Sequence, residues 1–403
     1  MSDSQVNSRV IPVKTKGFIS INSHPVGCAR QVTEWSDRAK AKPTITGLGS
    51  APKALILGGT TGYGLATRVV LAENLGASTI SVGFDAAASE SRPATAGWYN
   101  THAFHQRHKG SEKHYSINGD AFANETREQV AALIREKFGK IGIFVYSIAA
   151  PRRKDPATGT VFSSVLKPIG EPYSGLTVEL DGGKVSMASL QPASPEEISN
   201  TTKVMGGEDL LLWTDYLGSQ GLLEDNVKVV AYTYEGPSLS WPVYKDGTIG
   251  KAKDDVREKS IAINRELSKK GGLARVAYLQ ATVTQASLAI PTVPLYIAVY
   301  SKVMKELGLF EDNLDHIYRM LQILGADTGA ALDDVSLRVD DRELDAKVQE
   351  LVNQRMKPLQ AGTVLEDSYF SALRGAFLNL FGFEIPGIDY NQAVDTLYGR
   401  DWQ

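Results

Sequence analysis

The chain has 403 residues, 42% of them hydrophobic, and its 43 Lys and Arg nearly balance its 46 Asp and Glu, for a net charge of −3. That length allows a large buried core, and near neutrality gives no global basic field for nucleic acid or an anionic membrane. Cys28 is the only cysteine, which excludes an intrachain disulfide and a thiolate metal cluster. Residues 1–50 are polar and irregular, carry no apolar signal-peptide core, and read as an N-terminal extension laid over a core. The run ALILG (54–58) reads as a buried parallel strand, and LATRVVLAENLG after it as a helix. STISVGF (78–84), HYSIN (114–118) and IGIFVYSIA (141–149) follow as three more strands, with helices predicted at 99–109 and 124–138. This alternation implies a parallel sheet covered by helices on both faces.

The pattern then breaks. Residues 150–193 are rich in Pro and Gly, and Asp-Gly-Gly inside LTVELDGGKVSMASL predicts a hairpin. SPEE (194–197) is a capping box with Pro at the first helical position. VKVVAYTY (227–234) and RVAYLQA (275–281) are predicted as a fifth and a sixth strand. Residues 284–308 read as one long apolar helix with Pro291 and Pro294 near its start, and the last hundred residues as mostly amphipathic helix. No stretch reaches the ~20 uninterrupted apolar residues of a membrane helix. The expected architecture is an α/β fold with a Rossmann-type doubly wound parallel sheet, short-chain-dehydrogenase-like, in one large domain spanning 1–403. Its dinucleotide-binding and catalytic core is placed at 50–310 with an insertion at 150–225, and a C-terminal helical region at 311–403.

Gly58, Gly62 and Gly64 form a G-x-x-x-G-x-G pattern directly after a predicted strand and at the opening of a predicted helix. In that context small residues let the backbone approach a pyrophosphate seated on the helix N-terminal amides. No Gly-Lys-Ser/Thr follows, so the loop is not a P-loop. The second strand ends at Phe84-Asp85, where a carboxylate can accept from adenosine ribose hydroxyls and would repel a 2′-phosphate, favouring NADH over NADPH. Asp120 follows the third strand, and Ser147, Ile148 and Ala149 end the fourth, at the sheet edge where ligands of such folds lie.

A reductase acting on a polarised double bond needs a donor for the developing oxyanion. Tyr suits this, and a nearby Lys can hold the cofactor ribose. The predicted helices carry no convincing Tyr-x-x-x-Lys. Instead Tyr244 and Lys253 stand nine positions apart in YKDGTIGKAK. Within one helix that separation would point them in opposite directions. Asp246-Gly247 and Gly250 form a break, so Tyr244 can occupy a loop or short turn while Lys253 begins the next helix. Read alone, the pair is equally compatible with a solvated helix start.

The blocks HPVGC (24–28), GGTTGYGLATR (58–68), AGWYNT (96–101), NGDAF (118–122), VYSIAAPRRKDPATG (145–159), VMGGED (204–209), TIGKAK (248–253) and IPTVPLY (290–296), in this order, resemble the single-chain trans-2-enoyl-CoA reductases, the FabV-type enoyl-acyl-carrier-protein reductases. The resemblance implies NADH-dependent reduction of the C2–C3 double bond of a 2-enoyl thioester on coenzyme A or acyl carrier protein. It implies Tyr244 as proton donor, Lys253 as a catalytic and cofactor contact, and Tyr234 as a second tyrosine near the substrate carbonyl. It places the remaining cofactor contacts on Gly58, Gly59, Thr60, Thr61, Gly62, Tyr63, Phe84, Asp85, Asp120, Ala121, Ile148, Ala149, Thr282, Val283 and Thr284. The family usually has Glu where this chain has Asp85. Hydride can pass directly from NADH, so no flavin is assigned.

His102, His105 and His108 drift around a helix and are not assigned a metal. Arg152, Arg153 and Lys154 are equally readable as a docking site for coenzyme A phosphates or an acidic carrier and as a solvated loop. Tyr296 and the 284–308 helix are readable as acyl-tunnel lining, with core packing preferred for most of it. A cytoplasmic monomer is expected, with no nucleic acid and no stable membrane association. A short-chain carbonyl reductase and a non-enzymatic dinucleotide sensor stand as alternatives. The Tyr-x8-Lys spacing and long insertion argue against the first, and a sensor has no need of a Tyr/Lys pair.

Overall fold

The computed structural model describes residues 8–329 and 332–399. Seven strands form one sheet: β1 (Lys53–Leu57), β2 (Ser78–Gly83), β3 (His114–Asn118), β4 (Ile141–Tyr146), β5 (Leu223–Thr233), β6 (Leu273–Tyr278) and β7 (Ser336–Arg338). Their spatial order is β3-β2-β1-β4-β5-β6-β7, with every neighbouring pair parallel. The chain winds outward from β1 on one side and from β4 on the other, so the strand order reverses between them. This is the doubly wound Rossmann arrangement expected from the sequence, extended by a seventh edge strand.

The helices are α1 (Pro25–Ala41), α2 (Gly62–Leu75), α3 (Ala96–Arg107), α4 (Asn124–Leu133), α5 (Pro195–Met205), α6 (Glu208–Ser219), α7 (Thr248–Ser268), α8 (Gln285–Leu288), α9 (Val293–Glu306), α10 (Asn313–Ala326), α11 (Ala346–Met356) and α12 (Asp367–Asn379). Ala54 and Ile56 of β1 pack with Val69 of α2, Val32 of α1 and Ile317 of α10, whereas Leu55 and Leu57 pack with Val130 of α4, Trp213 of α6 and Val256 of α7. Both faces of the strand are buried, which is why it reads as an unbroken apolar run. A third buried cluster joins Tyr99 of α3, Tyr244, Tyr296 and Val299 of α9, Val348 of α11 and Phe377 of α12. The C-terminal residues therefore share a core with the candidate site. No helix among the described residues is long and apolar enough to cross a membrane.

Three expectations need correction. The N-terminal stretch read as irregular contains α1, a helix of 17 residues. His24 caps it by accepting from the Gly27 amide at 3.3 Å, and Pro25 begins it. Cys28, Val32, Trp35 and Ala39 recur on its buried face. The 284–308 helix is broken into α8 and α9 by Thr292, whose φ of +70° no helix accommodates, with Pro294 in the first turn of α9. The C-terminal region contributes β7, three residues too short for a recognisable period. The hairpin appears as Tyr173–Val178 paired with Val185–Leu190. In the predicted capping box, Ser194 accepts from the Glu197 amide at 3.2 Å while Glu197 accepts from the Ser194 amide at 2.9 Å.

Candidate active site

The chain leaves β1 through Gly58, whose φ is +78° and where any Cβ would fall on the Ser147 carbonyl oxygen past β4. At Gly64, in the first turn of α2, a Cβ would fall on the Gly58 carbonyl oxygen. These two absences of side chain draw the start of α2 down onto the strand end. Thr61 caps α2 without a side-chain hydrogen bond. The first amides of the helix have no intrahelical acceptor, so they face the loop opening. A dinucleotide pyrophosphate fits such a cradle, since small residues leave the backbone approachable and the helix presents its positive end. Across the loop, Thr284 Cγ2 is the nearest atom, at 3.6 Å, to the position of a Cβ on Gly62. The Thr60 carbonyl accepts from Asn100 Nδ2 at 3.1 Å, and Gly59 lies against Ser81.

At the end of β2 the Phe84 ring is 82% exposed, an open apolar face beside the loop. Asp85 is held by Asn118, which accepts from its amide at 2.8 Å and donates to its carbonyl at 2.9 Å. The Asp85 carboxylate accepts from Thr95 Oγ1 at 2.7 Å and from the Thr60 hydroxyl, which sets it between the glycine loop and the start of α3. Burial raises its pKa, and the two hydroxyl donors oppose the rise. Asp120 accepts from the Phe122 amide at 2.9 Å, and the Ala121 carbonyl from Trp213 Nε1 at 2.9 Å, which fixes the turn after β3. Ile148 borders Gly58, and Ala149 beside it is exposed. After β6, the Tyr63 hydroxyl donates to the Gln280 carbonyl at 2.6 Å and lies 2.7 Å from Thr282 Oγ1. Asn313 Nδ2 donates to the Val283 carbonyl at 3.3 Å, and Thr284 caps α8. The residues singled out in the glycine loop and after β2, β3, β4 and β6 thus gather at one edge of the sheet, with Tyr63 acting as a tether between α2 and the loop after β6.

Tyr234 follows β5 directly. Residues 238–247 fold into a short 3₁₀ segment and turns, with the Tyr244 amide donating to the Ser240 carbonyl at 2.9 Å. The Tyr244 carbonyl then accepts from the Gly250 amide at 2.9 Å, in the first turn of α7. A Cβ on Gly250 would fall on the Lys245 carbonyl, so only glycine lets the tyrosine turn rest on the helix. Lys253 lies in the second turn of that same helix. The break read from the sequence is present at Asp246-Gly247, but the helix begins at Thr248 rather than at Lys253, so Gly250 lies inside it and the Tyr244 turn rests on the start of the helix that carries Lys253.

The Tyr234 and Tyr244 rings meet edge to face, 5.1 Å between centroids. Tyr244 is 7% exposed, and burial raises its pKa while the Tyr234 backbone amide, donating to its hydroxyl, lowers it. The phenol therefore stays protonated through the physiological range. No group among the described residues accepts the Tyr244 proton. Burial alone pulls the Lys253 ammonium down to about 8, and no carboxylate among the described residues pairs with it.

Glu343 was not singled out from the sequence. Its side chain is fully buried, and one oxygen accepts from Tyr234 Oη at 2.9 Å and from Tyr296 Oη at 2.8 Å, the other from the Ala281 amide at 2.6 Å. Burial raises its pKa to about 7 against the pull of these three donors. Tyr296 is thus committed to Glu343 and to core packing, and its hydroxyl gives no tunnel lining. Asn118 and Thr95 were also missed as the groups that hold Asp85. The basic triplet divides by strand alternation: Arg152 and Lys154 are exposed, whereas Arg153 is 3% exposed and bonded to Glu208 Oε2 at 2.9 Å and the Lys203 carbonyl at 2.7 Å. Arg153 is a structural group, because a guanidinium so paired has no face for a phosphate. The three histidines diverge, His102 to Tyr398, His105 to Ser116 at 2.8 Å, and His108 to Phe104 and His114.

A Rossmann sheet with a glycine cradle, an acidic residue after β2, and a protonated tyrosine at the start of a helix that carries a half-buried lysine defines the class of dinucleotide-dependent oxidoreductases. Residues 92–324 match the trans-2-enoyl-CoA reductase catalytic region, and residues 10–90 the NAD(P)H binding domain of trans-2-enoyl-CoA reductase. The chain is 41% identical to an enoyl-acyl-carrier-protein reductase (NADH) of Opitutus terrae, over 96% of this chain and 98% of that one. It is 39% identical to a trans-2-enoyl-CoA reductase (NADH) of Clostridium perfringens, over 96% and 99% of the two chains. The crystal structure of Clostridium acetobutulicum trans-2-enoyl-CoA reductase in complex with NADH superposes with a TM-score of 0.92 at 36% identity, covering 98% of this chain and 100% of that one. The chain belongs to the trans-2-enoyl-CoA reductase family.

Residues 333–394 match an enoyl reductase FAD binding domain. The structure of this segment does not fit a flavin dinucleotide. After β7 comes the turn Asp340-Asp341-Arg342-Glu343, not a glycine cradle, and its side chains are taken up by Arg338, Arg319, Glu311 and the Tyr234 and Tyr296 hydroxyls. Val348, Val352, Phe377 and Phe383 of the segment are packed inward.

Proposed function

We infer that this protein reduces the C2–C3 double bond of a 2-enoyl thioester, carried on coenzyme A or acyl carrier protein, with NADH as reductant. NADH, when bound, supplies a hydride to C3 of the conjugated thioester. The glycine loop Gly58–Tyr63 is suited to hold its pyrophosphate. Phe84, Asp85, Asp120 and Ala121 are proposed to meet the adenosine half, and Ile148, Ala149, Thr282, Val283 and Thr284 the nicotinamide half. Lys253 is proposed to hold the nicotinamide ribose, where its ammonium gains the partners it otherwise lacks.

Negative charge gathers on the thioester oxygen as the C2–C3 bond is reduced, and Tyr244 is proposed to donate to that oxygen. One observation carries this: the Tyr244 phenol is buried with its ring against Tyr234, and its hydroxyl gives its proton to no group among the described residues. That proton is free for a substrate oxygen. The raised pKa keeps it a donor and excludes it as a resting base. Tyr234, its ring against Tyr244, is proposed as the second group near the carbonyl.

The test is NADH consumption with crotonyl-CoA and with a longer 2-enoyl thioester. The wild-type protein is expected to turn over both, and Tyr244→Phe to lose roughly 100-fold or more in kcat with NADH affinity kept. Full turnover in Tyr244→Phe would remove Tyr244 from the reaction.

A further inference from the structure

The Tyr234 hydroxyl presents a chemical conflict. Its proton is given to Glu343 Oε1 at 2.9 Å, yet a tyrosine that assists at a thioester oxygen must direct that proton to the substrate. Glu343 Oε1 also accepts from Tyr296 Oη at 2.8 Å, so two phenols converge on one carboxylate oxygen. The other oxygen is held by the Ala281 amide at 2.6 Å, and Gln349 Nε2 bridges the Tyr296 hydroxyl at 3.1 Å and the Glu343 carbonyl at 2.6 Å. Three donors on its two oxygens hold the carboxyl group in this orientation.

An ionised carboxylate only accepts, whereas a protonated one also donates. We propose that Glu343 is a positioning residue for the reduction, and that it sets the direction of the Tyr234 hydroxyl: as a carboxylate it holds the proton of Tyr234, and as an acid it donates to Tyr234 Oη and turns that proton toward the thioester. This rests on the assignment of Tyr234 to the substrate carbonyl. The proton balance closes. The substrate gains a hydride at C3 from NADH and a proton at C2 by way of its enolate. That one proton comes from Tyr244, which solvent reprotonates after product release; Tyr234 gives the thioester oxygen a hydrogen bond and keeps its own proton, so Glu343 stays protonated through the turnover.

The surroundings support a group that titrates at working pH. Tyr234 after β5, Tyr296 and Tyr300 on α9 and Tyr63 on α2 face Glu343 as neutral phenols whose pKa values burial raises. From β7 and the following turn come Arg338 and Asp340, bonded to each other at 2.7 Å. Tyr244 borders Tyr234, and Gln349 of α11 is uncharged. Asp340 reinforces the burial that lifts the Glu343 pKa to about 7. No cation among the described residues pairs with Glu343 directly.

The experiment compares kcat at saturating NADH and crotonyl-CoA from about pH 6 to about pH 8.5 in wild type, Glu343→Gln and Tyr234→Phe. NADH binding by fluorescence is measured alongside as the check that each variant is folded. Wild-type kcat is expected to fall roughly tenfold over that range. Glu343→Gln, whose amide cannot ionise, is expected to show no such fall, and Tyr234→Phe to be slower throughout and equally flat. An infrared band of a protonated carboxyl, lost as the pH rises through about 7, is expected in wild type and absent from Glu343→Gln. If Glu343→Gln keeps the wild-type fall, or the band is the same in both, the proposal is overturned, while a slow Tyr234→Phe still upholds the assignment of Tyr234. If Tyr234→Phe matches wild type in rate and profile, that assignment fails and the proposal with it.

Discussion

Lys253 keeps its charge in a place that does not favour it. Burial holds its pKa near 8, so the ammonium is present below that value and is lost as pH rises through it. As the proposed ribose contact, Lys253 then ties cofactor affinity to pH in a defined direction. The dissociation constant for NADH is expected to rise roughly tenfold between about pH 7 and about pH 9.5. Lys253→Met is expected to bind more weakly at neutral pH and to lose that dependence, which fluorescence titration measures directly. A wild-type affinity that stays level across the range would place the lysine away from the cofactor. Tyr244 and Lys253 were singled out by the family resemblance, the glycines between them showing only that both could face one site. Glu343 was not, since its partners Tyr234 and Tyr296 lie 109 and 47 positions away. In the acidic stretch VDDRELDAK a single Glu reads as solvated surface.

Among the elements, α7 decides the geometry of the site. Its first turn carries Gly250 beneath the carbonyls of Tyr244 and Lys245, and its second turn carries Lys253. Gly250→Ala would push the tyrosine turn off the helix while leaving the helix itself favourable. It is expected to cost about 1–3 kcal/mol of stability in denaturant unfolding and to lower kcat by roughly tenfold or more, with a smaller effect on NADH affinity. Unchanged stability and kcat would mean that the turn is not set by this contact. Strands β1 and β4 were legible because burial on both faces makes them nearly continuous apolar runs. The helix α1 was missed although its signal was present, in Pro25 at its start and apolar residues four, three and four positions apart from Cys28 to Ala39. The break before α9 was missed because the apolar character continues through Pro291 and Pro294, while the decisive feature is the backbone of Thr292.

At the scale of the whole molecule, the C-terminal residues close over the wall that holds the tyrosines. Tyr244, Tyr296, Val348 and Phe377 share one buried cluster, and Glu343 reaches into the site from the turn before α11. A segment whose matching family description names a flavin thus provides packing and a carboxylate. That contrast makes the route of the hydride the central claim. It is tested by reducing crotonyl-CoA with NADH that carries deuterium at the transferable C4 position and locating the label in the butyryl product by mass spectrometry. Direct transfer predicts one deuterium at C3, retained without dilution, and solvent hydrogen at C2. Label lost to water, as a flavin carrier with an exchangeable N5 hydrogen would cause, or label absent from C3, would contradict the account.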